Sequence, residues 1–119
     1  HAISDALLGA AGLGDIGTYF PDTDPAFKNA DSLVLLERVR EEVVKAGCKI
    51  ESLDSVVICE RPKVNPHREQ MKANIARVLQ IPVERVGVKA STSEKLGFTG
   101  RGEGIASQAV ATVSKIYAE

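Results

Sequence analysis

Cysteine is nearly missing from this sequence, and the two that occur, Cys48 and Cys59, stand too far apart for a CxxC pair. Nothing here builds a cysteine zinc site or a disulfide framework, and reducing conditions suit the chain. Long apolar runs are missing as well: none approaches the ~18 residues that a spanning helix needs, and no charged-then-apolar leader precedes the first helix-like stretch. The expectation is a soluble, cytoplasmic protein with no membrane partner. Neither charge is in excess, since 15 basic and 16 acidic side chains leave a net −1. A nucleic acid is therefore not expected as a partner, and any anion site must be local. The nucleotide fingerprints are missing too. No GxxxxGK(S/T) order occurs and GRGEG is not GxGxxG, which removes the P-loop and the dinucleotide motif.

What is present fills one domain of 119 residues, without an internal repeat or a linker. Residues 1–12, HAISDALLGAAG, are rich in alanine and leucine and predict a mostly buried helix stopped by Gly12 and Gly14. The sequence opens on His1 rather than Met, already inside this apolar stretch, and reads as a chain whose beginning is missing. Residues 13–31 concentrate Gly, Pro, Asp and Thr without a period, a long loop of a kind that is often functional. Leu36, Val39 and Val43 predict an amphipathic helix over 32–46, stopped by Gly47.

Residues 48–60 read as a strand closed by Pro62, with Val56, Val57, Ile58 and Cys59 suited to a sheet interior. Asn65 and Pro66 predict the cap and first turn of a helix carrying Met71, Ile75, Val78 and Leu79, and Pro82 ends that unit. Val86, Val88 and Ala90 alternate with Gly87 and Lys89 as a second strand, followed by a glycine-rich polar loop over 91–102. Ala106, Ala109, Val110, Val113 and Ile116 then give the buried face of a last helix. Helices alternating with strands predict an α/β (α+β) domain of two layers, a mixed sheet with helices packed on one face.

Three clusters carry chemistry. His1 and Asp5 share a helix face, and an imidazole beside a carboxylate suits zinc; a single histidine at a chain end is also an ordinary surface residue, because zinc takes at least three protein ligands. GDIGTYFPDTDP, residues 14–25, sets three carboxylates and two glycines around a proline turn, which fits sugar hydroxyls and equally fits a solvated turn with Asx caps. KASTSEKLGFTGRGEG, residues 89–104, offers hydroxyls and backbone N–H groups to a diphosphate and Glu94 to a hard cation, or it is a glycine-rich loop with no ligand.

Taken together, HAISDALLGAAGLGDIGTYFPDTDP, CERPKVNPH and KASTSEKLGFTGRGEG resemble the 2-C-methyl-D-erythritol 2,4-cyclodiphosphate synthase family, over essentially the whole chain and in the same order. The resemblance implies a homotrimer that turns 4-diphosphocytidyl-2-C-methyl-D-erythritol 2-phosphate into the cyclic diphosphate and CMP. It implies that His1 is one of three ligands of Zn2+ or a similar divalent cation. The other two would come from an upstream Asp-x-His, and neither that motif nor an HSDGD-like segment precedes His1 in this sequence. Asp15, Ile16 and Gly17 match the positions that hold the ribose. Phe20, Pro21, Asp22, Thr23 and Asp24 match the loop beside the methylerythritol end.

By the same resemblance, Cys59, Glu60, Arg61, Pro62, Lys63, Val64 and Asn65 cradle cytosine largely through backbone groups, with Lys63 near the phosphates. Cys59 departs from the commoner alanine. Ala90, Ser91 and Ser93 flank Thr92, whose hydroxyl would steady the reacting phosphate, and Glu94 would hold a second cation, Mg2+ or Mn2+. Phe98, Arg101 and Glu103 resemble residues around a central trimer cavity that in relatives holds an isoprenoid diphosphate. Two rival readings remain at this stage: a cytidine-binding module without the zinc site, and a regulatory trimer binding isoprenoid diphosphates.

Overall fold

A computed structural model describes residues 1–21 and 31–116. Ser4, Leu7 and Leu8 form the inward stripe of helix α1 (Ala2–Ala10). Asp5, Gly9 and Ala10 are exposed, so this helix is half buried where its composition predicts a mostly buried one. Alanine and glycine raise the apolar count while hiding little surface, so they did not have to face the core. Gly12 and Gly14 follow at φ +73° and +97°, the left-handed region that glycine enters freely, and end the helix as predicted. Within the long loop one helical turn forms, α2 (Ile16–Tyr19), capped by Asp15.

Helix α3 (Ser32–Lys45) starts where the Asp31 carboxylate accepts the Leu33 N–H at 2.7 Å. It buries Leu35, Leu36, Val39 and Val43, and Gly47 at φ +83° turns the chain into strand β1 (Cys48–Ile58). A 3-10 turn, Asn65–His67, then leads into helix α4 (Arg68–Leu79). The cap expected from Asn65 is not made: the N-cap positions of the turn and of α4 are Val64 and His67, and neither side chain caps. Pro66 instead sits in the first turn, directly after Asn65, where its missing N–H costs nothing.

Strand β2 (Val86–Ser91) runs parallel to β1, and the short helix α5 (Gly97–Gly100) interrupts the glycine-rich loop. The last element is a strand, β3 (Ala106–Lys115), and not the predicted helix. It pairs antiparallel with β1 from Cys48↔Lys115 to Ile58↔Ala106, with one irregularity between Ile50 and Ser52. The alanines suggested a period of 3.6, but Ala109, Ala111 and Val113 point one way and Val110 and Thr112 the other, at a period of 2. Val110 and Ile116, assigned to a buried helix face, are 73% and 62% exposed in the single chain.

The sheet order is β2-β1-β3, a mixed sheet of three strands. Ile50, Leu53, Val86 and Val88 join Leu7, Leu8, Val39, Val43 and Leu79 in one core beneath α1, α3 and α4. Each such side chain contributes about 1.5–3 kcal/mol by leaving water. On the opposite sheet face Asp54, Lys89 and Val110 are exposed, and that face is bare among the described residues. Among the described residues, no helix is long and apolar enough to cross a membrane.

Candidate functional site

The parallel pairing of β1 with β2 brings two distant segments side by side. The ladder runs to Ile58↔Ser91 and is prolonged by the Cys59 N–H donating to the Ser91 carbonyl at 3.1 Å. Just past these strand ends lies a pocket of about 170 Å³. Cys59, Glu60, Pro62, Lys63, Val64 and Asn65 line it from one side and Ala90, Ser91 and Thr92 from the other. All nine are residues singled out in the sequence. Open ends of parallel strands are where ligands enter α/β sheets, because the chain must loop away there and leaves backbone groups unpaired.

Local hydrogen bonds shape both walls. The Cys59 thiol lies 3.4 Å from the Pro62 carbonyl oxygen and is buried, and the Arg61–Pro62 peptide is cis. Across the pocket, Thr92 Oγ1 accepts the Glu94 N–H at 3.2 Å, which leaves its own O–H proton free to donate into the pocket. Ser93 turns the other way: its Oγ donates to the Leu96 carbonyl at 2.6 Å and meets Thr99 Oγ1 at 2.8 Å. Ser93 therefore holds the loop and does not line the pocket. Thr99 is buried, an anchor that sequence reasoning missed; a hydroxyl six residues from Ser93 was the available signal.

Glu94 and Lys95 sit at φ +54° and +65°, two successive left-handed residues that are not glycine. The segment is held by the Lys95 N–H, which donates to Glu60 Oε1 at 3.1 Å and so ties the two pocket walls together. Gly100 packs against this turn so closely that a Cβ there would overlap the Lys95 backbone. Arg61 does not line the first pocket. It lines a neighbouring one of about 290 Å³ with Glu60, Lys95 and Arg101, which makes that side cationic. Arg101 is paired through Nε and Nη2 with Glu103 at 2.9 and 3.1 Å. Phe98 is 51% exposed, near Leu96 at 73% and Ile105 at 54%, an apolar cluster open to the surface.

The acidic loop forms a separate group. Asp15 Oδ1 accepts the Thr18 N–H at 3.1 Å and its hydroxyl at 3.2 Å, so half of this carboxylate serves as the α2 cap and its second oxygen has no such task. Asp5 Oδ1 accepts the Ile16 N–H at 2.9 Å, fixing the loop to α1. Ile16 and Phe20 pack against the core, while Gly17 is exposed and Pro21 partly so. None of these residues lines the pocket at Cys59. Asp22, Thr23 and Asp24 lie outside the described residues.

His1 and Asp5 are both exposed on α1. Among the described residues, no three His, Cys, Asp or Glu side chains converge on a point where a metal would sit. His1 thus offers one imidazole, short of the three protein ligands that zinc takes. Glu94 is exposed beside the pocket wall, and a single carboxylate suits Mg2+ or Mn2+, which take most of their remaining ligands from phosphates and water.

A family model described as the YgbB family matches residues 1–114. The 2-C-methyl-D-erythritol 2,4-cyclodiphosphate synthase of Agathobacter rectalis is 57% identical over 117 residues, covering 98% of this chain and 66% of that protein. The chain spans about two thirds of the length of the curated relatives it matches, 66%, 69% and 71% for three of them. Among solved structures, the bifunctional IspDF of Campylobacter jejuni superposes with a TM-score of 0.92 at 44% identity, covering 98% of this chain and 31% of that one. The IspF of Plasmodium falciparum in complex with CDP superposes with a TM-score of 0.81 at 32% identity, covering 96% of this chain and 68% of that one.

Proposed function

Because this chain belongs to the YgbB family of 2-C-methyl-D-erythritol 2,4-cyclodiphosphate synthases, lyases of isoprenoid biosynthesis, we propose that its pocket at Cys59 holds the cytidine end of their substrate. The observation that carries this reading is the convergence of residues 59–65 and 90–92 on one pocket at the open end of the β1–β2 pair. The pocket is small and lies where the strand ends leave backbone N–H and C=O groups unpaired, as a planar base read through such groups requires. Cys59, which replaces a commoner alanine, adds little bulk and keeps its thiol against the Pro62 carbonyl.

The substrate is 4-diphosphocytidyl-2-C-methyl-D-erythritol 2-phosphate. An oxygen of its 2-phosphate attacks the β-phosphorus, a new P–O bond forms, and the P–O bond to CMP breaks with its electron pair leaving on CMP. Both partners are anionic, so the protein must orient and neutralise; holding an intramolecular pair in line is worth about 7–11 kcal/mol. Thr92 donates its free O–H to the reacting phosphate, Lys63 faces the diphosphate, and Asp15 takes the ribose hydroxyls with its unoccupied oxygen. Mg2+ or Mn2+ held by Glu94 supplies charge neutralisation at the diphosphate when bound. His1 would give one ligand to a zinc ion or similar divalent cation.

The residues split between two groups, 15–21 and 59–65 with 90–94, which supports a site shared between neighbouring copies. The working unit is then a homotrimer of the cytoplasm, its bare sheet faces turned inward and Phe98, Arg101 and Glu103 around an axial cavity able to take an isoprenoid diphosphate. Release of CMP from the linear substrate, with zinc and magnesium present, tests the reaction. Glu94→Gln slows release while CDP still binds; equal loss of rate and of CDP affinity removes Glu94 from the metal role.

A further inference from the structure

A second cavity lies at the other end of the sheet and shares no residue with the nucleotide pocket. It measures about 440 Å³ and opens between α3, the start of β1 and the turn after α4. Strand β1 begins here at Cys48 and ends beside the nucleotide pocket, so eleven extended residues, roughly 35 Å at about 3.3 Å each, separate the two.

Three cations line this cavity, Arg40, Lys49 and Arg85, and no carboxylate does among the described residues. Arg85 is partly satisfied, its Nη1 lying 3.3 Å from Glu51 Oε2 just outside the wall. Arg40 is not: its Nε is buried and has no hydrogen-bond partner. A buried guanidinium N–H left unmade carries a desolvation penalty that native structures rarely tolerate, unless something absent from the protein alone supplies the acceptor. Apart from Gln80 the rest of the wall is apolar, with Ile50 and Leu79 from the core and Val44, Ile81 and Ile116 beside them.

We propose that this cavity binds a small organic anion, its phosphate or carboxylate head on Arg40 and its short hydrocarbon body against Ile50, Leu79 and Ile81. The volume lies in the range of small-molecule sites, and a few charged groups set in an apolar wall fix an amphiphilic ligand by its head. A planar guanidinium matches either oxyanion. The site is independent of the nucleotide reading. Because it bridges α3, β1 and the exit of α4, a ligand there binds only the folded chain and raises its melting temperature.

The test is an amide-shift titration of the full chain with n-butyl phosphate, hexanoate and inorganic phosphate. Butyl phosphate or hexanoate is expected to give saturable shifts at Arg40, Ile50 and Ile81 while Ser91 and Thr92 stay still, with inorganic phosphate about tenfold weaker or worse. Arg40→Met should weaken binding about tenfold, and Arg85→Gln, at an exposed position, about threefold if the first variant fails to fold. Absence of saturable shifts at these amides overturns the site. Equal affinity for inorganic and butyl phosphate overturns the apolar part, and unchanged affinity in both variants overturns the role of the cations.

Discussion

The Lys95 N–H and the Glu60 carboxylate, 35 residues apart in sequence, are joined by one hydrogen bond of 3.1 Å that spans the two walls of the pocket at Cys59. It fixes a turn in which Glu94 and Lys95 both adopt left-handed backbone, a conformation costing roughly 1–2 kcal/mol for each residue other than glycine. Without that anchor the turn relaxes and Glu94 loses its position. Glu60→Ala is expected to weaken CDP binding in the presence of Mg2+ by about 0.5–1.5 kcal/mol, or roughly twofold to tenfold, by calorimetry. Unchanged affinity would mean that the turn is held by Ser93 and Thr99 alone.

Asp15 has two tasks that one substitution cannot separate, since Oδ1 caps α2 and the second oxygen is proposed to take the ribose. Asp15→Ala should cost about 1–3 kcal/mol of CDP affinity. Asp15→Ser keeps a capping oxygen, so it preserves the helix turn yet should show a similar loss of affinity. Full affinity in the serine variant would reduce Asp15 to a cap.

Assembly can be tested on the bare sheet face. Val110 is 73% exposed in the single chain and lies opposite Asp54 in the β1–β3 ladder. Val110→Asp sets two carboxylates across the ladder and a charge at the proposed contact, so the chain should sediment as a monomer where the unchanged protein is expected to sediment as a trimer. A native chain that is already monomeric, or a variant that stays trimeric, goes against the shared site.

Among the described residues two carboxylates titrate below their usual values, and both lie on the sheet away from the pocket. The Ser114 hydroxyl holds Glu51 below 4.5, helped by the charges of Lys49 and Arg85 against a smaller opposing effect of desolvation. Lys89, through its hydrogen bond and then its charge, holds Asp54 below 3.8. A depressed folded-state pKa contributes stability that is present above the unfolded value and lost as pH falls through the folded one. The fold should therefore weaken below about pH 4, and Ser114→Ala should move the Glu51 midpoint upward in a carboxyl-carbon NMR titration. An unmoved midpoint would assign the shift to Lys49 and Arg85.

The pocket's raw material was more legible in the sequence than its construction. Residues 59–65 and 90–92 were recognisable by their resemblance to known blocks, and both strands before them by their apolar runs. The strand character of 106–115 was hidden, because Ala106, Ala109, Val110 and Val113 also fit a helical period and nothing local said that β1 had a free edge to fill. Ser93 was grouped with Ser91 and Thr92 by type, although only coordinates reveal that it turns toward Leu96 and Thr99. Side-chain to backbone bonds such as Glu60 to Lys95 leave no pattern in a sequence, since any nearby carboxylate could make them.

Titration of the chain with CDP and Mg2+, followed through backbone amides, is the most direct measurement of the nucleotide assignment. Saturable shifts are expected at Glu60, Lys63, Val64, Ser91 and Thr92, with Arg40 and Ile81 unmoved. If CDP saturates nothing at those five positions, the pocket past the ends of β1 and β2 does not hold a cytidine nucleotide.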